Sequence, residues 1–105
     1  MEYAVVDGQV RIERTAEEQE PLLQRLRRIE GQARGLQQMI VDNRYCLDTV
    51  QQLNALASAA REVALLLIDD HLHAGVTLAV QAHDPEGVAI GEMVTVLRAA
   101  MRQYP

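Results

Sequence analysis

The stretch from Tyr45 to Gln81, YCLDTVQQLNALASAAREVALLLIDDHLHAGVTLAVQ, limits what this chain can fold into. Its apolar residues recur at Leu47, Val50, Leu53, Leu56, Ala60, Val63, Leu67, Ala74 and Leu78. Steps of three or four residues are a helical period and not the alternation of a strand. The stretch contains no proline, and Gly75 is its one glycine. As a single helix of about 36 residues it is roughly 55 Å long at 1.5 Å rise per residue. A compact domain of 105 residues has a radius of gyration of about 13 Å, so such a helix overhangs its own domain. Being apolar along its length, it needs more partner helices than one chain of this size supplies. The expectation is an obligate helical oligomer.

Composition supports helix packing. The chain is 49% hydrophobic, yet it has no Trp, no Phe and three Tyr, so Leu, Val, Ile, Ala and Met must build the core. No uninterrupted run of 18 apolar residues occurs, and the charged N-terminus lacks the apolar segment of a signal peptide. These features predict one soluble, cytoplasmic domain with no membrane partner. A single Cys forms no internal disulfide and suits a reducing compartment.

In chain order, YAVV-DG-QVRI alternates around Asp7-Gly8, a strong hairpin signal. Residues 1–16 are read as an N-terminal tail, a small hairpin leaning on the helices, and residues 17–105 as the helical domain. Thr15-Ala-Glu-Glu18 has the pattern of a capping box, and Pro21 after Glu20 offers a second helix start. Leu22, Leu26, Ile29, Ala33, Leu36 and Ile40 form the stripe of the first helix, which ends near Asp42-Asn43. Gly31 and Gly35 on this helix each cost about 1 kcal/mol relative to Ala, which suggests close approach of another backbone or a ligand. After the long helix, His83-Asp84-Pro85 makes a break, with Asp84 capping a third helix and Pro85 at its first position. Val88, Met93, Val96, Leu97 and Ala100 give that helix its apolar face. The protomer is all-α, short-long-short, its first two helices an antiparallel hairpin.

Charge is uneven. The net charge of −5 argues against general stickiness for nucleic acid. Between Arg25 and Arg34, however, Arg25, Arg27, Arg28 and Arg34 face only Glu30, a local +3. The same pattern fits an ordinary solvated helix face. On an acidic protein, a repeated positive strip also fits the phosphates of duplex DNA.

Cys46 and His71 are the two side chains of the long helix suited to metal chemistry. Lying 25 residues apart, they are separated by about 37 Å along one helix. An antiparallel copy brings His71 of one chain opposite Cys46 of the other, so any site using both lies between subunits. Thiolate with imidazole suits Cu(I), Zn(II), Ni(II) or Co(II), and Glu92 can orient the imidazole from behind. His73 points about 200° away from His71 around the helix and reads as a surface residue. His83 reads as a helix-end residue.

LLQRLRRIEGQARGLQQMIVDNRYC, followed 25 residues after Cys46 by DDHL, resembles the CsoR-type family of bacterial metal-sensing repressors over roughly residues 20–100. The resemblance implies a three-helix protomer, an antiparallel four-helix-bundle dimer, and a dimer of dimers. It implies Cys46 and His71 as metal ligands bridging subunits, Tyr45 and Glu92 as the pair supporting them, and the four Arg as the contact with double-stranded operator DNA. One position departs. Copper sensors carry a second Cys, or a His, four residues after the site histidine, where this chain has Gly75. Nickel-sensing relatives use additional histidines, which the tail lacks. Formaldehyde-sensing relatives keep Cys and His without the further Cys, but have a shorter N-terminus. Persulfide-sensing relatives replace the histidine by Cys.

The resulting expectation is a non-enzymatic repressor, a homo-dimer or homo-tetramer, released from its operator by copper(I). Three readings compete with it: the same fold answering formaldehyde or another metal, a helical interaction module that has lost sensing, and a small metal buffer. Gly75→Cys is expected to restore a thiolate at little cost to the helix, since Gly is the poorer helix former.

Overall fold

The computed structural model describes residues 1–81, 84 and 86–103. These form a β-hairpin, β1 (Glu2–Val6) and β2 (Gln9–Glu13), followed by α1 (Ala16–Val41), α2 (Cys46–Gln81) and α3 (Val88–Gln103). Apart from the hairpin the architecture is helical, and α2 is unbroken over 36 residues. The chain divides into two compact units, Met1–Thr15 with Leu66–Pro105, and Ala16–Leu65.

In the first unit, β1 and β2 pair antiparallel in the register Tyr3↔Ile12 and Val5↔Val10. Asp7 and Gly8 have φ of 51° and 75°. Two successive positive φ values make the type I′ turn whose twist matches the flanking strands. Alternation puts Tyr3, Val5, Val10 and Ile12 on one face. Val10 is buried with Ala74 of α2 and Ala89 of α3, and Tyr3, Ile12, Leu78 and Ala79 pack around them. An isolated hairpin is marginal in water, and this small cluster is what holds it. Arg14, just after β2, pairs with Asp70 of α2 at 3.1 Å.

Asp84 caps α3, but from further back than expected. Its Oδ1 accepts from the Val88 amide at 2.9 Å, and its Oδ2 from those of Ala89 at 3.1 Å and Ile90 at 3.4 Å. The helix begins at Val88, not at residue 85, because Gly87 takes φ +65° between the cap and the first turn. His83 and Pro85 lie outside the described residues.

The second unit holds α1 and the first part of α2. Helix α1 starts directly after Thr15, so the earlier of the two start signals prevails. Pro21 lies inside the helix and not at its first position, at the cost of the hydrogen bond its missing N–H would have given the carbonyl of Glu17. At the other end, Asn43 has φ 53°. The Arg44 amide donates to the Met39 carbonyl at 2.9 Å and the Asn43 amide to the Ile40 carbonyl at 3.1 Å. That pair of bonds is a Schellman motif, with Asn accepting the left-handed conformation usually left to glycine. The remaining link to α2 has the length of an αα-hairpin connection. Leu36 and Val63 are buried in this unit.

Both units leave much apolar surface uncovered. Leu23, Leu26, Ile40, Val41, Leu47, Val50, Leu53 and Leu65 are exposed in one, and Leu67, Val76, Val80, Ile90, Val94 and Met101 in the other. By length and composition alone, α2 is apolar enough to cross a membrane. Arg61, Glu62, Asp69 and Asp70 stand along its middle, where each charge would be costly in hydrocarbon.

Candidate functional site

The imidazole of His71 and the carboxylate of Glu92 meet within the first unit. His71 Nε2 lies 2.7 Å from Glu92 Oε2, with side-chain exposures of 16% and 13%. An ionised carboxylate only accepts, so Nε2–H is the donor in this bond; the neutral imidazole in this tautomer keeps its lone pair on Nδ1. A carboxylate behind a histidine in this way fixes the tautomer and ring orientation and raises the basicity of the other nitrogen. Helix α2 supplies His71 and α3 supplies Glu92, so Asp84, which starts α3, also sets the register of this pair.

The surroundings of His71 include residues that the sequence did not single out. A shallow depression lined by Val10, Arg11, Ile12, Arg14, Leu67 and His71 runs between the hairpin and α2. The Arg14–Asp70 pair, joining residues 56 apart, pins the hairpin next to the histidine. No local pattern announces a contact of that separation. His73, two residues on, is exposed as expected.

Cys46 is an exposed free thiol at the first position of α2, and Tyr45 before it is 69% exposed. Both belong to the second unit. Among the described residues, no three His, Cys, Asp or Glu side chains cluster to hold a metal within one chain. His71 and Glu92 are thus brought together by one protomer, and Cys46 and Tyr45 are not joined to them by any described hydrogen bond.

Gly75 lies one helical turn beyond His71 on the same face of α2. It is buried against Met93 of α3. A Cβ added at Gly75 would fall inside the contact distance of Met93 Sδ and 2.6 Å from its Cγ. The expectation that Gly75→Cys costs little took no account of this contact: a side chain there must displace Met93, whose flexible end can turn aside. Gly31 and Gly35 are the reverse case, because an added Cβ meets nothing within 4 Å at either.

The four arginines divide into two pairs. Arg27 bonds Glu20 at 2.8 Å and Arg34 bonds Glu30 at 2.7 Å, both on α1. Glu20, two turns before Arg27, is an acid that the count inside the arginine run omitted. Arg25 and Arg28, with Pro21 and Gln24, line a shallow surface depression. Among the described residues neither has an acidic partner.

Known proteins resemble this chain across most of its length. Residues 18–99 match the family described as metal-sensitive transcriptional repressor. The copper-sensing transcriptional repressor CsoR of Bacillus subtilis (strain 168) is 40% identical over 85 residues, 81% of this chain and 83% of that protein. The copper-sensing transcriptional repressor RicR of Mycobacterium tuberculosis (strain ATCC 25618 / H37Rv) is 51% identical over 61 residues, 58% of this chain and 64% of its own length. Among solved structures, the copper-sensing repressor CsoR with Cu(I) from Geobacillus thermodenitrificans NG80-2 superposes with a TM-score of 0.66 at 37% identity, covering 92% of this chain and 93% of that one. The nickel-responsive transcriptional regulator InrS gives a TM-score of 0.74 at 32% identity over 83% of this chain and 97% of its own. The chain belongs to the metal-sensitive transcriptional repressors, the CsoR-type family, whose members are regulators and not enzymes.

Proposed function

We propose that this chain is a cytoplasmic, copper(I)-responsive repressor, working as a homo-dimer or homo-tetramer on a double-stranded DNA operator. The observation that carries the reading is the His71–Glu92 hydrogen bond at 2.7 Å, which leaves Nδ1 as a prepared donor. The described donors fit a soft monovalent ion: an exposed thiol at Cys46 and an oriented imidazole at His71. Cys46 of one copy and His71 of a second hold the metal, with Tyr45 and Glu92 supporting them, and bound Cu(I) supplies a bridge across the interface. The uncovered apolar residues of α2 are the surface on which the second copy packs. In Ni(II) sites, nitrogen-rich square-planar sets are usual. One thiol and one oriented imidazole suit the softer Cu(I) better, despite the likeness to a nickel-responsive structure.

DNA binding falls to α1. Arg25 and Arg28 supply free guanidinium forks to phosphate, and Arg27 and Arg34 join after exchanging Glu20 and Glu30 for it. Repression is relieved because the metal binds the DNA-free arrangement better. A coupling of about 1–3 kcal/mol changes operator affinity about 5- to 150-fold.

A gel shift on the DNA upstream of its own gene, challenged in parallel with Cu(I), Ni(II), Co(II) and formaldehyde, tests this reading. Release by Cu(I), lost in Cys46→Ser and His71→Ala while DNA binding persists, is the expected result. Release by formaldehyde alone would overturn the copper assignment and keep the repressor. Absence of any DNA complex would leave a helical interaction module or a metal buffer.

A further inference from the structure

Met93 is the buried residue whose chemistry the packing does not require. It is 8% exposed, and its thioether occupies the volume that a side chain at position 75 would fill. Leu or Ile would fill a comparable volume with better-defined rotamers. Position 75 shares a face of α2 with His71, one turn away. Glu92, the neighbour of Met93 on α3, is hydrogen-bonded to His71 Nε2 at 2.7 Å. The same two residues of α3 therefore address His71 and the turn beyond it, one with a carboxylate and one with a sulfur. With Gly75 carrying no side chain, Met93 Sδ fills the space where a side chain one helical turn beyond His71 would stand.

We propose that the Met93 thioether is a ligand of the copper(I) site, completing with His71 and a second copy's Cys46 a set of one nitrogen and two sulfurs. This rests on the reading of that site as a Cu(I) sensor. Thioether sulfur is a soft donor that favours Cu(I) over Zn(II), Ni(II) and Co(II). It carries no charge and releases no proton on binding, in contrast to a thiol. A ligand on α3 also ties metal occupancy to the α2–α3 contact, which Gly75 keeps close.

The test uses the full-length protein labelled with selenomethionine, loaded with one Cu(I) per site and studied by X-ray absorption at the copper and selenium edges. Chelator competition for Cu(I) is run beside it on the wild type and on Met93→Leu, which keeps the apolar filling and removes the sulfur. Met1, Met39 and Met101 serve as internal controls, since a copper–selenium signal from one of them would survive the substitution. Loss of a supporting residue around a metal typically weakens binding 10- to 100-fold, so loss of a direct ligand should weaken it by at least about tenfold. The expected result is copper–selenium scattering in the wild type, absent in Met93→Leu, together with that loss of affinity. Wild-type Cu(I) binding with no copper–selenium signal would overturn this assignment and leave the Cys46/His71 site standing, whatever the affinity of the variant. A signal that persists in Met93→Leu would assign the ligand to another methionine and overturn it equally. A wild type that does not bind Cu(I) would overturn both proposals together.

Discussion

Substituting Gly75 by Ala sets two effects of known size against each other. Helix propensity favours Ala in a helix interior by about 1 kcal/mol. The new Cβ, however, falls inside the contact distance of Met93 Sδ and 2.6 Å from Cγ, and overpacking of this kind costs about 1–3 kcal/mol. Met93 is unbranched and can turn aside, which favours the lower half of that range. The net expectation is a destabilisation of about 0–1 kcal/mol from these two principles. Gly31→Ala and Gly35→Ala provide the contrast, because an added Cβ there meets nothing within 4 Å. Without the opposing contact, each should stabilise α1 by about 0.5–1 kcal/mol. Urea unfolding of all three variants, at one fixed protomer concentration and without metal or DNA, reads the differences directly, since the oligomer makes apparent stability concentration-dependent. A Gly75→Ala protein stabilised as much as the two α1 variants would refute the close approach of α3. Destabilisation at Gly31 or Gly35 would instead reveal a contact made by a second copy.

Asp84→Ala removes the acceptor of three α3 amides and should cost about 1–2 kcal/mol; hydrogen exchange should rise first at residues 88–90. Arg25→Ala with Arg28→Ala should weaken operator binding and lower the salt slope by about 2 for each protomer touching DNA, roughly 0.9 for each phosphate no longer neutralised; an unchanged slope would move the DNA surface away from these two residues. Sizing by light scattering at micromolar concentration should give a dimer or tetramer, and a folded monomer of 11.7 kDa would remove the intersubunit site altogether.

Local rules carried much of this molecule. A sustained period of three and four residues made α2 one helix, and Asp7-Gly8 specified the hairpin because that pair readily takes the two positive φ values of a type I′ turn. Asn43, Asp84 and Thr15 marked helix ends within a few residues, since capping depends on neighbours in the chain. The motif from Arg25 to Leu36, with Tyr45-Cys46 and Asp70-His71-Leu72, was sufficient to indicate the family. Glu20 with Arg27 was also legible, two turns apart on one helix, had the acids before Pro21 been counted. Other features depended on elements distant in sequence, whose approach no local period encodes. The hairpin is held by Val10 against Ala74 and Ala89 and by Arg14 against Asp70, pairings that join the start of the chain to its second half. Glu92 was a candidate partner of His71 from residue type and resemblance, but its 2.7 Å bond depends on how α3 returns along α2. The role of Gly75 was least visible. In sequence it reads as a missing ligand, and in the fold it is the position where Met93 fills the space a side chain would take.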